Sequence, residues 1–95
     1  MISETVVIRN KQGIHLRVAS IIVQESNRFI SDIYIKRNNE RTNCKSILGL
    51  ISMAIPYNQE VTLEIDGDDE STAFTSIKET LTRDYSSLLS DEDKK

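Results

Sequence analysis

Within 95 residues the apolar side chains switch repeatedly between a spacing of about two and a spacing of about 3.6, and that order of switches is the strongest restriction on the fold. Residues 4–9 alternate, placing Val6 and Ile8 on one face of a strand. Residues 10–13 are polar and end in Gly13, which reads as a loop. Val18, Ala19, Ile22 and Val23 then fall at helical spacing over 16–27, with Phe29 and Ile30 closing the helix onto the core. Alternation returns over 32–36 with Ile33 and Ile35. Asn38-Asn39 reads as a turn, because asparagine accepts positive φ, and 40–43 as the returning hairpin strand. Ser46 is a favoured N-cap, since its hydroxyl accepts from a first-turn amide, and the spacing predicts a short helix over 47–54 ended by Pro56. Val61, Leu63 and Ile65 mark a last strand over 60–65, followed by the turn Asp66-Gly67. Asp68, Asp69 and Glu70 suit the positive end of a helix, whose buried stripe is Ala73, Phe74, Ile77, Leu81 and Tyr85. These elements make one domain over 1–89, with a polar tail over 90–95.

The order βαββαβα predicts an α+β fold with an antiparallel sheet. A domain this small buries a limited fraction of its surface, so one sheet face is expected under helices and the other in water. There is little room for a deep cleft, which favours a domain that works through its surface over a free-standing enzyme. A formal net charge of −3, no basic block and only two phenylalanines and three tyrosines argue against nucleic acid as a partner. The single cysteine, Cys44, has no partner for a disulfide or a metal cluster and reads as a reduced, partly buried thiol of a cytoplasmic protein. No apolar run approaches the roughly 20 residues that span a bilayer, and no secretory leader is visible at the start.

Two segments carry a resemblance. Gly13-Ile14-His15-Leu16-Arg17-Val18-Ala19 resembles the active-site pattern Gly-Leu-His-Ala-Arg-Pro-Ala of HPr, the histidine-containing phosphocarrier family of the bacterial phosphoenolpyruvate-dependent phosphotransferase system. Asn43-Cys44-Lys45-Ser46-Ile47-Leu48-Gly49-Leu50-Ile51-Ser52-Met53-Ala54 resembles the regulatory-serine segment of the same family. The resemblance covers nearly the whole chain. It implies an open-faced β-sandwich, a four-stranded antiparallel sheet with three helices on one face. Three departures stand out. Val18 replaces the proline of sugar-transport members and looks more like the nitrogen-branch relatives. Leu16 is bulkier than the usual small residue, and Pro56-Tyr57 stands where glycines are frequent.

Independently of the family, His15 falls at a loop-to-helix junction. First-turn amides and the helix dipole stabilise an anion there, so a phosphoryl group on the imidazole would lie against the amides of Leu16 and Arg17. The Arg17 guanidinium matches phosphate oxygens, and imidazole offers a neutral nitrogen nucleophile near neutral pH. Positioning and charge stabilisation supply most of phosphoryl-transfer catalysis, and partner enzymes can provide both. The resemblance implies that His15 accepts phosphate on Nδ1 from phospho-enzyme I and passes it to an enzyme IIA domain. It also implies that Ser46 is a regulatory site for HPr kinase/phosphorylase. Ile47, Leu48 and Ile51 are either ordinary core, since a short apolar run cannot be phased by spacing alone, or, where exposed, an apolar patch beside His15 that docks enzyme I and IIA domains, rimmed by Arg17, Ser20 and Gln24. On the short helix Leu50 and Ala54 are expected to point inward. No metal or cofactor is implied, and the protein is expected to be a monomer without membrane insertion. Two other readings stay open: a regulatory HPr-like protein acting through Ser46, and a ferredoxin-like module for a small ligand or RNA. The latter is disfavoured by the lack of an aromatic sheet face and a glycine-rich loop.

Overall fold

The structure, a computed structural model, describes residues 1–86. The tail expected over 90–95 and the expected domain end at 89 lie outside the described residues. Seven elements follow in the order expected: β1 (Ile2–Val7), α1 (Leu16–Ser26), β2 (Asp32–Arg37), β3 (Glu40–Asn43), α2 (Ile47–Ser52), β4 (Glu60–Asp66) and α3 (Glu70–Thr82). The strands form one antiparallel sheet in the order β1-β4-β2-β3.

Register follows the alternation of the strands. β4 faces Ile33 of β2 with Ile65 and Ile35 with Leu63, and its Val61 lies opposite Val6 of β1. All of these side chains are buried beneath the helices. Burying an aliphatic side chain of this size contributes about 1.5–3 kcal/mol, and sliding a strand by one residue would turn the whole set into water. The other face is polar: Arg41 stacks 3.7 Å from the ring centroid of Tyr34 and its Nε donates to Glu64 over 3.1 Å. The hairpin between β2 and β3 turns on Asn38, whose φ is +55°.

α1 buries Val18, Ala19, Ile22 and Ser26. Phe29 packs on the core as expected, but Ile30 is 75% exposed. The loop that carries Ile30 is pinned from below. The Asp69 carboxylate accepts from the Ile30 and Ser31 amides and from the Ser31 hydroxyl, and Lys45 Nζ donates to the Phe29 and Ser31 carbonyls. These bonds, the Ser31 hydroxyl first, hold the Asp69 carboxyl below its usual range. Asp69 is thus occupied with the loop and makes no side-chain cap on α3.

Three further expectations are corrected. α2 ends at Ser52, before Pro56 is reached: Ala54 enters the left-handed region at φ +48°, and Arg37 Nη2 donates to the Met53 carbonyl over 2.7 Å. Met53 rather than Ala54 therefore joins Leu50 in the core, and Ala54 is exposed. α3 ends at Thr82, so Tyr85 is buried from the segment beyond the helix and not from its stripe. Phe74 is half-buried on α3. Cys44 is fully buried, and burial pushes its thiol far above its ordinary range, which keeps it protonated and a poor nucleophile.

Candidate functional site

The loop from Arg9 to Ile14 delivers His15 to the start of α1. Asn10 builds its turn: the Asn10 carbonyl accepts from the Gly13 amide and Asn10 Nδ2 donates to the Gly13 carbonyl, both over 2.8 Å. Gly13 has φ +71°, and a Cβ there would collide with the Ile55 carbonyl and lie 2.9 Å from Pro56 Cα. Only glycine combines that backbone with that approach. The Ile14 amide donates to the Ile55 carbonyl over 2.9 Å, and the Ile14 side chain is buried. The segment around Pro56-Tyr57 therefore lies directly against the loop, and Tyr57 is 47% exposed beside it.

His15 is the N-cap of α1, in extended backbone at φ −102° and ψ −174°. Its ring, rather than a hydroxyl, does the capping: Nδ1 accepts from the Arg17 amide over 3.2 Å. An N–H donating to Nδ1 leaves the proton of the neutral ring on Nε2 and a lone pair on Nδ1, directed at the helix N-terminus. The His15 carbonyl accepts from the Ala19 amide over 2.8 Å, which begins the helix. His15 is partly exposed, and Leu16 and Arg17 are exposed on the first turn. A group on Nδ1 thus meets a first-turn amide and a positive dipole end in solvent-accessible surroundings.

α1 packs against α2, which places the two caps, His15 and Ser46, on neighbouring helices. Ser46 Oγ accepts from the Gly49 amide over 3.1 Å. Of the expected apolar patch, Leu48 is 75% and Ile51 36% exposed, whereas Ile47 is half-buried against the core. Leu16, 64% exposed, was expected only as a phosphate-binding amide and adds apolar surface. On α1, Ser20 is partly buried and Gln24 exposed. Asn10 and its bond from the Tyr85 amide went unnoticed in the sequence, since the two residues are 75 positions apart. Among the described residues no group of three or more His, Cys, Asp or Glu side chains is placed to hold a metal, and no helix is long and apolar enough to cross a membrane.

An antiparallel sheet backed by three helices, with a histidine standing at the start of the first, is the architecture of the HPr-like open-faced sandwiches. The chain belongs to the HPr family, the phosphocarriers of the phosphotransferase system: residues 2–83 match the family model described as the PTS HPr component phosphorylation site. Among curated proteins it is 40% identical over 77 residues to the HPr-like protein Crh of Bacillus subtilis, covering 81% of this chain and 91% of that one. It is also 40% identical over 78 residues to the phosphocarrier protein HPr of Treponema pallidum, covering 82% and 89%. Among solved structures, HPr from Thermoanaerobacter tengcongensis superposes with a TM-score of 0.81 at 34% identity, covering 85% and 91%. Crh of Bacillus subtilis, crystallised as a domain-swapped dimer, gives 0.72 at 37% identity, covering 88% and 97%. The same likeness sets aside the ferredoxin-like alternative.

Proposed function

We propose that this protein carries a phosphoryl group on His15 Nδ1 between phospho-enzyme I and an enzyme IIA domain in the cytoplasm. The observation that carries this reading is the His15 ring itself, capping α1 with an Nδ1 lone pair held by the Arg17 amide. When a donor phosphoryl group arrives, Nδ1 exchanges that weak bond for a bond to phosphorus. The donor's own bond to phosphorus breaks and its electron pair leaves with the donor, while the ring proton stays on Nε2. The Arg17 amide then donates to a phosphate oxygen, and the Arg17 guanidinium, on the same exposed turn, offsets the added charge. Transfer onward runs the same exchange in reverse, toward a histidine of the acceptor. Leu16, Leu48 and Ile51 supply apolar docking surface around the ring, with Arg17, Ser20 and Gln24 at its rim and Ile47 supporting it from below.

The 40% identity to Crh favours a second role on the same scaffold, regulation through phosphorylation of Ser46 by an HPr kinase. This chain carries the histidine and arginine of the carrier motif as well as that serine segment, which supports a second role added to the first and not in place of it. The carrier reading is tested with enzyme I and phosphoenolpyruvate. Wild type should gain one acid-labile phosphate and His15→Ala none, with its fold intact by circular dichroism. Acid-labile phosphate on the His15→Ala protein would overturn the assignment.

A further inference from the structure

We propose that Asn10 is a positioning residue for phosphoryl transfer, tying the C-terminal segment to the loop that presents His15. This rests on the carrier reading above. Asn10 is fully buried, and its planar amide uses both ends. Nδ2 donates to the Gly13 carbonyl over 2.8 Å, and Oδ1 accepts from the Tyr85 amide over 2.7 Å. Its own carbonyl takes the Gly13 amide, so both backbone polar groups of Gly13 are held by one residue. Beside it, the Lys11 amide donates to Asp84 Oδ1 over 3.3 Å. Tyr85 is itself anchored, 7% exposed, with its hydroxyl donating to the Thr80 carbonyl of α3 over 2.9 Å.

The chemistry of asparagine fits this place. One buried side chain must give a proton to a carbonyl and take one from an amide, and a side-chain amide does both without charge. Aspartate lacks the donor, and alanine leaves Gly13 and Tyr85 with unmet buried groups. On the opposite side, the Ile55 carbonyl and Pro56 close on Gly13. Gly13 is therefore clamped from both sides two residues before the imidazole. What the clamp fixes is the chain direction into His15, and with it the aim of Nδ1 at the Arg17 amide. Loosening it leaves the docking surface on α1 and α2 unchanged while blurring the nucleophile, so the loss should appear in turnover and not in affinity.

Phosphorylation by enzyme I and phosphoenolpyruvate is followed over a range of carrier concentrations for wild type, Asn10→Ala and Tyr85→Phe. Tyr85→Phe loses the hydroxyl bond to Thr80 but keeps the amide that Asn10 accepts, so it reports what lost stability alone does. Asn10→Ala should lower kcat about tenfold or more with KM unchanged, and should shift the His15 Nδ1 and Arg17 amide NMR signals. Tyr85→Phe should match wild type in each. If Asn10→Ala fails to fold, Asn10→Asp, which keeps the acceptor and loses the donor, replaces it with the same expectation. Unchanged kcat and His15 signals in the folded variant, or an equal loss in Tyr85→Phe, overturn the role of Asn10. Wild type that takes no phosphate overturns the carrier reading instead, and the NMR comparison then decides for Asn10 alone.

Discussion

In the carrier reading, the backbone around His15 already aims its ring. The Arg17 amide holds Nδ1, the helix dipole favours an anion at that spot, and the ring is open to a docked enzyme. What the backbone lacks is a full positive charge, which the proposed role assigns to Arg17 on the same exposed turn. Charge-assisted hydrogen bonds of that kind are worth about 1.5–3 kcal/mol. Arg17→Ala should accordingly slow phosphorylation of His15 by enzyme I about tenfold or more, while the thermal midpoint changes little. Rates equal to wild type in both directions would reduce Arg17 to a surface charge. His15 and Arg17 were legible in the sequence because glycine, histidine and arginine fall within five consecutive residues. Asn10 was not, because a polar residue in a polar loop looks solvated until the fold brings Tyr85 back across 75 positions.

At the scale of elements, helix starts were easier to read than helix ends. Ser46 was recognisable as a cap from its own chemistry, and its hydroxyl takes the Gly49 amide. The end of α2 depends on something no local pattern announces, an alanine at φ +48° in front of Pro56. A left-handed alanine costs about 1–2 kcal/mol, and glycine's greater freedom when unfolded returns part of that. Ala54→Gly should therefore raise the unfolding free energy by about 0.5–1 kcal/mol in urea titration. A decrease would show that Ala54 makes contacts that outweigh its backbone strain. The tail of α3 was misread for a related reason: Tyr85 fits the helical stripe by spacing, yet it is held by Asn10 after the helix has ended.

α2 also bears the regulatory reading. Ser46→Asp keeps a good cap, so the melting temperature should hold or rise. Its new charge sits beside the exposed Leu48 and Ile51, and an enzyme I surface that is acidic, as the family resemblance implies, should dock less well there. Phosphorylation of His15 should slow at low salt and recover as exposed charges are screened over about 10 Å at 0.1 M. Ser46→Ala, which loses the cap at about 0.5–2 kcal/mol without adding charge, should transfer at the wild-type rate. Equal rates for Ser46→Asp and wild type at low salt would leave Ser46 as a helix cap and nothing more.

For the molecule as a whole, the alternation in the strands was enough to predict an α+β fold with an antiparallel sheet, and the family resemblance supplied the three helices on one face. The strand order β1-β4-β2-β3, by contrast, came only with the structure, because equal alternation in every strand does not say which strands are neighbours. That order sets β1 and β3 at the edges and leaves the helix starts that carry His15 and Ser46 on adjoining helices. In the proposed carrier role the reactive atom stays at the surface, where partner enzymes can reach it. That role turns on the atom that takes the phosphate. The direct measurement is phosphorus and nitrogen NMR of the nitrogen-15-labelled protein after reaction with enzyme I and phosphoenolpyruvate. A phosphorus coupling to His15 Nδ1, together with a displaced Arg17 amide signal, is the predicted result. Phosphate coupled to Nε2, or bound to any other residue, would contradict it.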